Sequence, residues 1–320
     1  MKPFSILLFA IAMIVIAGCS VKTTTQPPAE MRIAYNVPLK DAAGKTNYEI
    51  FIANADGSDA TNITNHKDVA WTYSANKNRL YFVSDRDTCY RCYFLYSTDD
   101  EGKTVKKVSS LQLEDSWMDQ RNNGQEIIVS GRIGKQTRYQ LFLIDALTGD
   151  FRQITADTAA MYSDPAFSPD GKQVAFSYRK NKYDQSIPEE IYCMNVDGSG
   201  FRQLTHYPIE KLAKNEHGYK AGATRWHPTE NFISYISMQE GMHHIYGVTP
   251  DGSRQWRLIE EAFSDGWHDW SADGKWLVFD KSDAKGSRYS IALMNWETKQ
   301  ILSWKDTIHT YQQSPVFLND

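Results

Sequence analysis

The apolar positions of this chain fall into short strand-length runs broken by tight-turn residues, and the pattern recurs. One unit is an apolar strand, a turn, and a second strand ending in Leu/Ile-Thr or a similar pair. It reads Ile50-Phe-Ile-Ala-Asn-Ala-Asp-Gly-Ser with Ile63-Thr64, and Phe94-Leu-Tyr-Ser-Thr-Asp-Asp-Glu-Gly with Val108-Ser109. It returns from Leu141 with Ile154-Thr155, from Ile191 with Leu204-Thr205, from Ile245 with Leu258-Ile259, and from Ile291 with Ile301-Leu302. Successive starts lie 44, 47, 50, 54 and 46 residues apart, the length of a four-stranded propeller blade.

A second hairpin sits between these units, clearest at Asp164-Pro-Ala-Phe-Ser-Pro-Asp-Gly-Lys-Gln-Val-Ala-Phe. Relatives begin at Ala70 and Trp267, with more diverged copies over 117–129 and 223–235. Asp-Gly allows the positive φ that a tight hairpin demands, and the flanking alternation is that of half-buried strands. The chain ends on Ser314-Pro-Val-Phe-Leu, the first strand of such a hairpin, while Met31-Arg-Ile-Ala-Tyr-Asn-Val37 supplies an unpaired strand at the other end. The expected fold is therefore all-β, a six-bladed β-propeller of four-stranded blades. Pairing of the N-terminal strand with the C-terminal blade would close it and remove free edges.

Residues 31–320 carry these repeats, and what precedes them differs. A charged start (Met1-Lys2-Pro3), an apolar run from Phe4 to Ile16 and Ala17-Gly18-Cys19 predict a signal peptide over 1–18. Thirteen residues rise only about 20 Å as a helix, short of a bilayer core. Cys19 after Ala-Gly resembles the bacterial lipobox, which implies an acylated N-terminal cysteine, palmitate among its lipids. Ser20 in place of Asp favours the outer membrane, facing the periplasm, with surface exposure left open. Residues 19–30 read as a flexible tether, so membrane attachment is expected through the lipid alone.

The formal net charge is −4, with no basic block, which argues against a nucleic-acid partner. Cys89 and Cys92 form a Cys-x-x-Cys pair compatible with a local disulfide, with free thiols or with redox chemistry. No second pair completes a zinc site. There is no Gly-x-Ser-x-Gly elbow, His-Glu-x-x-His or phosphate loop.

The Ser-Pro-Asp-Gly and Asp-Gly-Ser turns, with Val83-Ser-Asp-Arg-Asp87, resemble the repeats of the TolB-like propellers, across residues 31–320. TolB carries an α/β domain before its propeller and is released as a soluble protein, so the resemblance is to a lipoprotein member lacking that domain. It implies a monomeric envelope scaffold. A more distant resemblance is to oligogalacturonate lyases, whose metal motif is similar to Gln-x-x-His-x-His; Asp265-Gly-Trp-His268-Asp-Trp270 is the nearest match. That resemblance implies a Mn, Ca or Zn ion held by Asp265 and His268, to which His217 and His309 are candidate additional ligands.

Laid onto blades, seven of the eight histidines (66, 206, 217, 243, 244, 268 and 309) fall on the face of the inter-blade connections. Only His227 lies at the opposite turns. Trp71, Trp117, Arg225, Trp267, His268 and Asp269 map to strands lining the channel, where stacking and charged hydrogen bonds would hold a peptide or sugar. The expected function is binding of an envelope protein or glycan through this histidine-rich face and channel. The alternative is a metal-assisted lyase of acidic oligosaccharides.

Overall fold

The computed structural model describes residues 26–40, 44, 46–135, 137–207, 220–239, 242–283, 286–302 and 304–318. The described residues form twenty-four strands and no helix. Strands Gln313–Leu318, Arg32–Lys40, Thr46–Asn54 and Thr61–Asn62 pair in that order as one sheet. The first and last described strands thus meet in one ladder, with Arg32 opposite Leu318 and Asn36 opposite Gln313. Three more four-stranded sheets follow chain order, beginning at Met161–Phe167, Ala221–Trp226 and Ser264–Trp270.

The remaining strands, from Ala70–Asn76 to Phe151–Gln153, join in a single eight-stranded sheet, where the repeat predicts two separate blades. The junction is local. Strand Lys106–Leu113 runs on until Gln112 and Leu113 pair with Arg132 and Gly131 of Glu126–Arg132. Gly131 permits the approach, since a Cβ there would stand only 3.0 Å from the Gln112 carbonyl.

The first strands of the repeats touch one another in succession, and Gln313–Leu318 returns to touch Ala70–Asn76. Between neighbouring sheets the apolar alternation is buried. Ile33, Tyr35, Phe51 and Phe317 of the first sheet pack with Val278, Ile291 and Leu293 of its neighbour. Each such side chain stabilises the fold by about 1.5–3 kcal/mol relative to exposure. Phe167, Trp270 and Phe317, equivalent in the repeat, are all buried in this way.

A polar residue punctuates the second strands. Asn36, Ser130, Ser177 and Asp280 are each the fifth residue of their strand and are all buried. Each reaches the backbone of the next first strand. Asn36 Nδ2 donates to Ala70 O at 2.6 Å while its Oδ1 accepts from Thr72 N–H at 3.1 Å. Ser130 Oγ donates to Tyr162 O at 2.7 Å, and Ser177 Oγ to Ala221 O. Asp280 Oδ2 accepts from Ser314 N–H at 3.2 Å. These clips satisfy backbone groups that twisted sheets leave unpaired between them. Asp280 alone among the four is ionisable.

Candidate functional site

The first strands kink at similar registers. Bulges interrupt the pairing between Ser163 and Ala166, Gly222 and Arg225, and Asp265 and His268. Asp164, Ala223 and Ser314 take φ of 52°, 50° and 53°. Such bulges re-aim side chains, and here they direct several toward the middle of the molecule.

Arg225 lies at its centre. Nε donates to Asp269 Oδ1 at 3.1 Å, Nη2 to Tyr73 O at 2.8 Å and Nη1 to Met118 O at 3.4 Å. Its guanidinium stands 4.0 Å from the centre of the Trp117 ring. Asp269 Oδ2 accepts from Phe317 N–H at 3.1 Å, and Asp119 Oδ2 from Phe167 N–H at 2.7 Å. Burial raises the pKa of both carboxyls, and Arg225 opposes that rise. One cation therefore ties together segments from several repeats, with its donors spent inside the protein.

His268 is fully buried beside it. Its Nδ1 faces Gly266 O at 3.2 Å and so carries the proton, leaving Nε2 to face the Ser234 hydroxyl at 2.7 Å. Burial, reinforced by Arg225, lowers its pKa to about 3. It is a neutral, fully engaged imidazole.

Of the proposed metal ligands, Asp265, His268 and His309 are each bound to other protein groups. Asp265 Oδ2 lies 2.8 Å from His244 Nδ1, and its Oδ1 accepts from Ile245 N–H at 2.6 Å. His309 Nδ1 bonds Asp306 Oδ2 at 2.8 Å and its ring packs 4.6 Å from Phe51. Among the described residues no group of three or more His, Cys, Asp or Glu side chains is placed to hold a metal ion. Cys19 and His217 lie outside the described residues. Histidines 244, 268 and 309 of the predicted face are held by protein partners, whereas His206 and His243 are exposed. His227 is buried against Phe232 and Trp270 in the turn region. Cys89 and Cys92 are disulfide-bonded, and Cys193 is a buried free thiol.

The aromatic candidates form a connected stair. Tyr48 packs 4.0 Å from Trp71, Trp71 meets Trp267 edge-on at 6.2 Å and stacks on Tyr73 at 6.3 Å, and Tyr73 meets Trp117 at 5.0 Å. Trp71 and Trp117 are buried within it. Trp267 is half-buried and lines an open pocket of about 270 Å³ at the start of the first strands.

That pocket is where the chemistry collects. Asp164, Glu189, Asp265 and Asp280 line it, against Lys220 and His243. Asp164 is clamped from two sides, accepting from Trp117 N–H at 3.0 Å, Ser116 Oγ–H at 3.1 Å and Ala223 N–H at 2.8 Å. Glu189 pairs with Arg179. Burial raises the Asp265 carboxyl and pushes Asp280 up to about 8, while it lowers the Lys220 ammonium with help from Arg179. Two glycines make the room: a Cβ at Gly222 would lie 2.7 Å from Asp164 Oδ2, and one at Gly266 would lie 2.5 Å from Asp280 Oδ1. Of the residues singled out from the sequence, Trp267, Asp265 and His243 line this pocket. Asp280 was detectable in the sequence as a carboxylate at a register that three other second strands fill with Asn or Ser, though Arg79–Ser84 puts Val83 there. Asp164 and Glu189 gave no such signal.

A family model described as the TolB beta propeller domain matches residues 135–317. The Tol-Pal system protein TolB of Francisella tularensis subsp. mediasiatica (strain FSC147) is 27% identical over 228 residues, 69% of this chain and 45% of that protein. This chain thus spans less than half the length of the curated relatives of that type that it matches. The crystal structure of TolB from Acinetobacter baumannii superposes with a TM-score of 0.69 at 14% identity, covering 92% of this chain and 68% of that one. An oligogalacturonate lyase in complex with manganese superposes at 0.52 with 16% identity, covering 88% and 80%. At such identities the likeness is one of fold.

Proposed function

The chain belongs to the TolB β-propeller family, and from that premise we propose that it is a non-enzymatic envelope lipoprotein that binds a basic segment of a protein partner in the pocket beside Trp267. The observation that carries this reading is the lining of that pocket: an aromatic wall with the Asp164, Glu189 and Asp265 carboxylates, beside which Asp280 holds its proton below about pH 8. An indole face with neighbouring carboxylates suits a lysine, arginine or chain-terminal amine. The same lining repels an acidic oligosaccharide. Together with the commitment of both His268 nitrogens to Gly266 and Ser234, this weighs against the metal-assisted lyase.

The scaffold we infer is a ring of six blades, the eight-stranded sheet being two of them bridged at Gln112–Leu113. The succession of first-strand contacts and the pairing of Arg32–Lys40 with Gln313–Leu318 support it. The anchor is acylated Cys19, placing the ring at the periplasmic side of the outer membrane. Met31 adjoins the end of the first strand Gln313–Leu318, whereas the pocket opens at the strand starts. The tether thus leaves from the face opposite the pocket, and about a dozen extended residues allow it a reach of about 40 Å.

Photo-crosslinking in cells tests the reading, with a benzophenone amino acid at Trp267 and, as control, at Leu147, which is 89% exposed. A discrete protein adduct from position 267 alone is expected. Equal labelling from both positions, or none from 267, overturns it. Replacing Cys19 with Ala should release the protein from the membrane fraction.

A further inference from the structure

A second, smaller cavity lies away from the Trp267 pocket, and most of its lining side chains carry oxygen. It measures about 120 Å³ and is bounded by Asn47, Asp68, Val69, Asp85, Thr88 and Tyr90. Asn47 is 5% exposed; its Nδ2 donates to His66 O at 3.0 Å, which fixes the orientation of the amide, and its buried Oδ1 has no hydrogen-bond partner. A buried carbonyl without a donor costs about 1–3 kcal/mol, and this one stands with two carboxylates around the same space. Asp85 is buried and held rigid, Oδ1 accepting from Val69 N–H at 3.1 Å and Oδ2 from Arg91 N–H at 2.9 Å. Each of those oxygens keeps a second lone pair. Asp68 approaches His66 Nδ1 at 3.3 Å. That nitrogen already accepts from the Asp68 backbone N–H, so it gives the carboxylate no proton.

We propose that this cavity binds a divalent cation of the hard, oxygen-seeking kind, with calcium as the best fit. The Asn47 carbonyl and the Asp68 and Asp85 carboxylates are the protein ligands, and water fills the remaining positions. Calcium accepts six to eight oxygens in flexible geometry, amide carbonyls among them, whereas magnesium demands a stricter octahedron. Two carboxylates balance its charge. The site is walled by the turn that the Cys89–Cys92 disulfide closes. Within that turn Thr88 Oγ is bonded to Asp85 O and Cys92 O, both at 2.8 Å, and Arg91 N–H holds Asp85. The disulfide is therefore the support of the site, and reduction should loosen it.

Tyr90 in the wall makes terbium the natural probe, since a phenol close to a bound lanthanide sensitises its emission. Titration of the lipid-free protein with Tb³⁺ should give saturable luminescence on excitation of tyrosine, displaced by Ca²⁺ more readily than by Mg²⁺. Asp68→Asn, an isosteric change at a partly exposed position, should weaken binding at least tenfold. Reduction of Cys89–Cys92 should weaken it as well. Asp280→Asn, in the other pocket, should leave it unchanged. A cavity holding water only would give no saturable signal and no calcium-dependent rise in melting temperature, which overturns the proposal. Loss of the signal in Asp280→Asn but not in Asp68→Asn overturns it too, by moving the ion elsewhere.

Discussion

The guanidinium of Arg225 lies 4.0 Å from the centre of the Trp117 ring, although 108 positions separate the two residues in the chain. The contact belongs to a cluster in which Arg225 also binds Asp269, Tyr73 O and Met118 O. Four of the side chains expected to grip a ligand in the channel (Trp117, Arg225, His268 and Asp269) instead bind protein groups inside this cluster.

Arg225→Met should therefore act on stability before it acts on binding. Removing one partner of a buried ion pair costs about 3–5 kcal/mol, because the other carboxylate is left uncompensated. Urea denaturation of the variant should show a midpoint shift of that size. A change below about 1 kcal/mol would mean that the cluster is not holding the repeats together.

Asp280 makes stability depend on pH. Its folded-state pKa is raised by burial to about 8, with Asp265 acting in the same direction. The unfolded carboxyl ionises near pH 4. The folded protein therefore keeps a proton that the unfolded chain has released. The contribution is whole below about pH 4 and is lost as pH rises through 8, by at most about 1.4 kcal/mol per unit. Asp280→Asn should flatten that slope in denaturant titrations at pH 5 and pH 8. Parallel profiles for the two proteins would contradict this.

Gly266→Ala brings a methyl group to within 2.5 Å of Asp280 Oδ1. Overpacking of this kind typically costs about 1–3 kcal/mol. Pairing it with Asp280→Ser, which restores the polar residue used elsewhere at that register, should cost less than the sum of the two changes. Strict additivity in thermal melts would place the strain elsewhere.

Cys193 is wholly buried, and burial pushes its thiol up to about 11. In the chain from Val21 onward it is the one thiol outside the disulfide. A thiol reagent at pH 8 should therefore leave the native protein unlabelled and modify one site after denaturation. Rapid labelling of the native state would reveal local opening of strand Glu190–Asn195.

The strands and repeats were legible because sheet burial imposes period two and turn chemistry imposes Asp-Gly, and both signals are local. The eight-stranded sheet was not, since it depends on how far Lys106–Leu113 continues past its hairpin. The pocket was legible at Trp267, Asp265 and His243. Asp164 meets Gly222 through a bulge in each of two strands 58 positions apart, and no local pattern encodes that. The repeat predicts seven histidines on one face. Whether an imidazole there is free or held depends on a carboxylate from another segment, such as Asp265 for His244.

Strand Arg32–Lys40 is paired along both edges, to Thr46–Asn54 on one side and Gln313–Leu318 on the other. Tension applied ahead of Met31 runs along the axis of that strand, across ladders whose hydrogen bonds lie perpendicular to it. Both ladders must then shear together, with their bonds loaded in parallel, where a pull across the sheet would peel them singly. Where the first and last described strands pair, the molecule has a mechanical latch, set at the point where a tether would transmit force.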